Sequence, residues 1–143
     1  EDLPTDRKAN ANYYLARIYH SKGGGSNFAK ARTFYENAAE LKPEWGEPYY
    51  QIGVLYASSG PLCGSGTGWD SQRVIWPAMD MWNKAIRTGD AEAAAEAKKK
   101  ISYYSQFLPT TEDAFEKSIK EGSSIMIPCW IQRRSTVRLR NQY

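Results

Sequence analysis

Few residues in this chain are of the types that carry out chemistry, and those few are scattered. The single histidine, His20, has no cysteine or carboxylate cluster beside it, so a zinc site or a serine triad is hard to assemble. Glu112 and Asp113 are adjacent, which is typical of a helix N-terminus rather than of an acid and base pair. Cys129 lies in an apolar run, a setting that favours an unreactive thiol. The sequence therefore predicts that the protein is not an enzyme and holds no cofactor and no metal ion.

A glycine-rich run over residues 22–27 has the superficial look of a phosphate-binding loop. No lysine followed by serine or threonine comes after its glycines, and no strand pattern precedes it. The run is better explained as a helix stop and a flexible turn. We therefore expect no nucleotide site and no small-molecule substrate.

The basic charge is concentrated at the C-terminal end. Residues 123–143 contain no acidic residue and no lysine, so they carry +4 while residues 1–122 carry −1. The basic residues of this segment are Arg133, Arg134, Arg138 and Arg140. Such a segment could meet an acidic partner, lipid phosphate or nucleic acid, but a solvated face is the simpler interpretation. As an alternative function, we consider binding of phosphate-rich lipid headgroups. We expect no nucleic-acid partner.

Hydrophobic periodicity divides the chain into two parts. Up to residue 122 the apolar residues recur at helical spacing, and a chain of 143 residues is long enough for one core. After residue 122 the period changes to two, with Ile125 and Ile127 in one run, Val137 and Leu139 in a second, and a turn expected at 132–135. Pro128 favours a bulge or an unpaired edge in the first run. The predicted fold class is all-α, built of helical hairpins, with a small C-terminal β-hairpin.

The stretch 31–56 has a specific spacing of small and aromatic residues. Small side chains allow two antiparallel helices to approach closely, tyrosines fill the volume beside them, and a proline ends the first helix. This spacing resembles the second helix of one tetratricopeptide repeat running into the first helix of the next. The matching positions are Ala31, Tyr35, Ala38, Pro43, Tyr49, Ile52, Gly53 and Tyr56.

The resemblance implies an α-α superhelix and a division of the chain into repeats. Repeat one is expected at about 6–43, repeat two at about 46–89 with a long inserted turn at 60–71, and a modified third repeat at about 91–121. Thr110 and Asp113 predict a capping box at the start of the last short helix. Residues 1–122 would then form the helical domain and residues 123–143 the basic β-hairpin. Because stacked repeats need roughly three units, a longer parent protein is expected.

A narrower resemblance covers nearly the whole chain. A cysteine in the long turn at Cys63-Gly64, the run P-T-T-E-D-A-F at 109–115 and the run C-W-I at 129–131 are similar to the C-terminal region of tetratricopeptide proteins from the cell envelope of Gram-negative bacteria. Pro77 and Pro128 depart from that pattern. The resemblance implies a non-catalytic protein–protein interaction scaffold, periplasmic or associated with the outer membrane, within a larger complex.

A scaffold of this kind would hold a protein segment or another subunit on the concave face formed by its first helices. Tyrosines that only pack between helices are an equally simple interpretation of the same positions. The candidate partner-binding residues on that face are Tyr13, Arg17, His20, Glu47, Tyr50 and Val54.

Two interpretations of the cysteines remain open. Cys63 and Cys129 lie in two irregular elements that a disulfide would hold together, but each could equally be a small buried apolar thiol. The envelope location implied by the resemblance favours the disulfide, because bridges persist outside the reducing cytosol.

Overall fold

The computed structural model describes residues 4–140, so the outermost ends of the two predicted domains, 1–3 and 141–143, lie outside the described residues. Within this range the chain forms eight α-helices followed by one two-stranded antiparallel sheet. The predicted fold class, helical hairpins with a small C-terminal β-hairpin, is confirmed. None of the described helices is long and apolar enough to span a bilayer.

Helices α1 (Thr5–Lys22) and α2 (Gly25–Leu41) form the first hairpin. Gly23 and Gly24 between them have φ angles of 74° and 85°, a left-handed region that glycine adopts without a Cβ clash. Alanines line the seam from both helices, and Ala16 and Ala31 are fully buried there. Tyr35 fills the space that these small side chains leave.

The second pair consists of α3 (Glu47–Ala57) and α6 (Ile75–Arg87), which pack together although a long segment separates them. That segment contains two single-turn helices, α4 (Gly60–Cys63) and α5 (Trp69–Gln72). The Trp82 ring lies against Gly53, where an added Cβ would come within 2.8 Å of Cε2 of the indole. The indole nitrogen also donates to the Tyr50 carbonyl oxygen at 3.2 Å. Pro77 lies in the first turn of α6, where its missing N–H costs no helical hydrogen bond.

Helices α7 (Ala91–Ser105) and α8 (Thr111–Glu116) complete the helical part. The Asp90 side chain accepts from the Ala93 amide at 3.3 Å to cap α7, and from the Gly46 amide at 2.9 Å to connect two loops. The capping box of Thr110 and Asp113 is present, as predicted. Helix α8 ends at Glu116, before the expected end of the third repeat at about 121, and the backbone turns left-handed at Ser118 with φ 56°.

The C-terminal hairpin pairs β1 (Ser124–Ile127) with β2 (Arg133–Thr136), and Ile127 lies opposite Arg133. The turn comes earlier than the predicted 132–135, since β2 already begins at Arg133. Pro128 has no N–H with which to continue the ladder, and Cys129 and Gln132 take left-handed φ angles of 68° and 47°. The residues between the strands therefore form the turn.

The hairpin packs into the helical core rather than lying outside it. Ile127, Ile131 and Val137 are buried in the same cluster as Trp76 of α6. The Trp130 indole nitrogen donates to Ser59 Oγ at 2.9 Å, so the turn of the hairpin contacts the end of the α3 segment. The last element of the chain thus folds back onto its middle.

Candidate functional site

A basic groove of about 460 Å³ lies between α3, α6 and the C-terminal hairpin. Five of its lining residues are basic and two are acidic, so the groove has a net charge of +3. Tyrosine, proline and methionine side chains supply an apolar lining between the charges. The residues that define the basic groove are Glu36, Tyr49, Tyr56, Pro77, Asp80, Met81, Asn83, Lys84, Arg87, Arg133, Arg134 and Arg138.

Helix α6 contributes one wall because of its residue spacing. Asp80, Asn83, Lys84 and Arg87 follow one another at three, one and three residues, which places them on one face of a helix. The opposite face of α6 is buried in the core, with Trp82 fully inaccessible. The burial of that face therefore fixes the direction in which the polar residues of α6 point.

The hairpin contributes three arginines that have different roles. Arg138 forms an ion pair with Asp80 at 2.5 Å and donates to the Trp76 carbonyl oxygen at 3.0 Å, so it fastens the hairpin to α6. Arg133 pairs loosely with Glu36 at 3.6 Å on the surface, where such pairs contribute little stability. Arg134 is exposed, and its side chain donates to Ser124 Oγ over a long distance of 3.4 Å.

Three cations of the basic groove have no acidic partner within residues 4–140. These are Lys84 and Arg87 from α6 and Arg134 from β2, all with exposed side chains. The Lys84 ammonium group lies 6.0 Å from the centre of the Tyr49 ring, close enough for a weak cation–π contact. The groove therefore presents positive charge that the protein does not neutralise, next to an aromatic ring.

Sequence reasoning found only part of this site. Arg133, Arg134 and Arg138 come together in the basic groove, but Arg140 does not, because it donates to the Leu108 carbonyl oxygen at 3.2 Å on another side of the hairpin. The sequence prediction did not include Lys84 and Arg87. Their spacing of four and seven residues from Asp80 places them on one helical face, and this could have identified them.

The other predicted site residues lie on α1 and α3, where Tyr13 and Glu47 bind each other. Tyr13 donates to Glu47 Oε2 at 2.7 Å, and Gln51 donates to the same oxygen at 2.8 Å. Burial, together with Glu47, raises the pKa of the Tyr13 phenol. Tyr50 and Val54 are half-buried along α3, and Arg17 is exposed on α1. That these residues bind a partner stays a prediction.

His20 belongs to the same region through Tyr35. Its Nδ1 lies 2.9 Å from the Tyr35 hydroxyl group. Burial and the positive charge of Arg17 lower the pKa of His20, which favours the neutral ring; the tautomer of that ring determines which group donates in the hydrogen bond to Tyr35. Burial raises the pKa of Tyr35 to about 12, which keeps the hydroxyl group protonated.

The structure contains a disulfide between Cys63 and Cys129, the pair considered from the sequence, with the two Cα atoms 5.6 Å apart. It joins the end of α4 to the turn of the hairpin. Such a bridge is compatible with an oxidising compartment. In the described part of the chain, no group of three or more metal-ligating side chains comes together.

Comparison with known proteins gives one family match, which covers part of the chain. Residues 31–64 match the family model described as Est1 DNA/RNA binding domain. The match spans about a quarter of the chain and covers most of α2 together with α3 and α4, including the groove residues Glu36, Tyr49 and Tyr56. No curated protein and no solved structure matches the chain with significance.

This match corrects the family and the function expected from the sequence. The assignment to the tetratricopeptide family, through its envelope relatives, was wrong, and so were the scaffold function, the lipid-headgroup alternative and the exclusion of a nucleic-acid partner. The spacing of small and aromatic residues over 31–56 satisfies the packing of closely approaching helices in general. It therefore reports how the helices pack and not which family they belong to.

Proposed function

We propose that this protein binds nucleic acid through the basic groove, without catalysing a reaction. The observation that carries the proposal is the convergence of Lys84, Arg87 and Arg134 on one groove with no acidic partner. Phosphate groups are the natural counterions for such a set, because lysine and arginine supply most of the charge in nucleic-acid interfaces. The match of residues 31–64 to a DNA/RNA binding domain supports the same partner.

The two acidic residues of the basic groove are compatible with this role. Asp80 is occupied by Arg138 and also accepts from the Ser135 hydroxyl group at 2.6 Å, so its charge is compensated within the protein. Glu36 is paired with Arg133, which can turn toward a phosphate because the pair is long and half-exposed. The groove thus keeps its positive character where a phosphate backbone would pass.

Fluorescence anisotropy with a labelled oligonucleotide of about 16 nucleotides tests the proposal, since single domains bind up to about this length. Three phosphate contacts predict a slope of about −2 for log K against log salt concentration on a single strand. The double variant Lys84→Gln/Arg87→Gln should weaken binding and reduce that slope by more than half. The oligonucleotide should be recovered intact if the protein binds without cleaving.

The matched control is Lys98→Gln/Lys99→Gln, which removes the same charge from the exposed face of α7 outside the groove. This control should leave the affinity and the salt slope almost unchanged. Equal losses in the two double variants would show attraction by net charge alone and would contradict a site in the basic groove. Failure of the wild-type protein to bind any oligonucleotide would contradict the function itself.

For the location, we propose an oxidising compartment, with the periplasm or the outer-membrane surface as the finer form of this proposal. The Cys63–Cys129 bridge supports it. Alkylation of the protein in intact cells, followed by mass spectrometry without reductant, is the test. Two alkylated cysteines in that sample would contradict an oxidising location.

A further inference from the structure

The basic groove has a feature that phosphate binding does not require, namely an aromatic ring and a free amide between its cations. Tyr49 is half-buried in the wall formed by α3, and the half-buried Met81 provides apolar surface nearby. A surface that meets only phosphates gains nothing from apolar groups. An unpaired base, in contrast, has a π-face that stacks on such a ring.

Tyr49 is the one tyrosine of the groove that is available for stacking. The other, Tyr56, is 2 % exposed and is enclosed by its own neighbours. Its ring packs 5.5 Å from Trp130, and its hydroxyl group accepts from Arg32 at 3.1 Å. The exposed Lys84 side chain lies over the Tyr49 ring, and being flexible it can move to a phosphate when a base arrives.

Asn83 offers a group that can read the edge of that base. Its side chain is half-buried in the groove and follows Met81 and Trp82 along α6, next to Lys84, and no hydrogen bond between the amide and another group of residues 4–140 is found. An asparagine amide presents one donor and one acceptor side by side. This pair matches N6 and N7 of adenine, the pairing that asparagine most commonly makes with DNA.

We infer that the basic groove takes single-stranded nucleic acid, with one unpaired base stacked on Tyr49 and its edge read by Asn83 in favour of adenine. This inference rests on the proposed function and names its substrate class. A duplex keeps its bases stacked inside, so its backbone reaches the cations but no base reaches Tyr49. The same strand should therefore bind more tightly when it is unpaired.

The experiment compares three labelled probes by anisotropy at one salt concentration: an oligothymidine, the same strand with one central adenine, and the latter annealed to its complement. The wild-type protein should bind the adenine-containing single strand most tightly. Tyr49→Leu should weaken binding of both single strands by about tenfold, within the range for losing one stacked base. Tyr49→Phe keeps the ring and should retain the affinity.

Asn83→Leu removes the amide at similar volume and leaves the charge unchanged. It should abolish the adenine preference while the salt slope stays at the wild-type value, because the phosphate contacts remain. Circular dichroism measures the thermal unfolding of Tyr49→Leu and Asn83→Leu. If both variants melt at the wild-type temperature, misfolding is excluded as the cause of a lost affinity or a lost adenine preference.

The possible results separate the inference from the function on which it rests. Absence of binding to all three probes overturns the proposed function. Equal affinity for duplex and single strand, with a neutral Tyr49→Leu variant, overturns the stacking of a base while phosphate binding stands. A wild-type adenine preference that survives in Asn83→Leu overturns the assignment of Asn83.

Discussion

Arg32 of α2 donates a 2.6 Å hydrogen bond to the carbonyl oxygen of Ile131, 99 residues later in the chain. The same guanidinium group donates to the Tyr56 hydroxyl at 3.1 Å and lies 4.9 Å from the Trp130 ring centre. With 8 % of its surface exposed, Arg32 is a buried cation whose partners are a carbonyl, a hydroxyl and two aromatic rings. It fixes the turn of the hairpin against α2 and α3.

The first prediction concerns this residue. Arg32→Met should destabilise the protein by about 2 to 3 kcal/mol, because the Ile131 carbonyl group would lose its charged donor in a buried position. Urea unfolding monitored by tryptophan fluorescence measures the change. Arg134→Met, on the exposed face of the hairpin, is the control and should stay within about 0.5 kcal/mol of the wild type. Equal stability of the two variants would contradict the role given to Arg32.

The second prediction concerns the disulfide. The two cysteines are separated by 66 residues in the sequence. On the chain-entropy model, Cys63→Ser/Cys129→Ser should lower the free energy of unfolding by roughly 4 kcal/mol, less any native strain. Denaturant midpoints of the oxidised protein, the reduced protein and the double variant measure it. The reduced protein and the variant should agree, and a midpoint unchanged by reduction would show that the bridge does not restrict the unfolded chain.

The third prediction concerns Gly53. Gly53→Leu should destabilise the protein by roughly 1 to 3 kcal/mol, because any side chain there overlaps the Trp82 ring and pushes α3 from α6. Gly60→Ala is the control, since its Cβ would find the nearest atom at an ordinary 3.5 Å. Thermal unfolding of both variants is the measurement. A wild-type melting temperature for Gly53→Leu would mean that the two helices do not need this close approach.

The fourth prediction concerns pH and His20. Burial lowers the pKa of His20 in the folded protein, so between its folded and unfolded pKa values the unfolded chain binds more protons. The contribution of His20 to stability is therefore complete above the unfolded pKa of about 6.5 and declines as the pH falls through that value toward the folded pKa. Urea unfolding at about pH 5 and pH 7 should show the loss.

His20→Gln isolates that contribution, because the glutamine amide can either donate to or accept from the Tyr35 hydroxyl group but does not titrate in this range. The stability difference between the two pH values should be smaller in the variant than in the wild type. Identical differences would contradict a depressed His20 pKa, whatever other groups titrate.

Local features of this protein were predictable from the sequence because near neighbours in the chain determine them. The Thr110–Asp113 capping box needs only residues three apart, and it forms as predicted. The helical periodicity up to residue 122 and the period of two after it likewise predicted which faces of the helices and of the hairpin are buried. The turn of the hairpin was predicted too late in the chain, at 132–135. Its actual place, 128–132, is set by Pro128, by the disulfide at Cys129 and by the left-handed backbone at Cys129 and Gln132.

The candidate site depended on the tertiary structure. Lys84 and Arg134 are fifty residues apart in sequence and share a groove only because Arg138 and Ser135 bind Asp80 on the same helix. Periodicity assigned Tyr49 to a helix seam and could not reveal that its ring borders that groove.

From the sequence alone, then, the all-α architecture with its small hairpin, the close approach at Gly53 and the clustering of arginines at the C-terminal end of the chain followed, since each depends on short-range spacing, side-chain size or composition. Only the tertiary structure decided where that segment lies and which cations of α6 it joins. Long-range packing of the buried hairpin residues determines these relations, and no pattern within a single element encodes them.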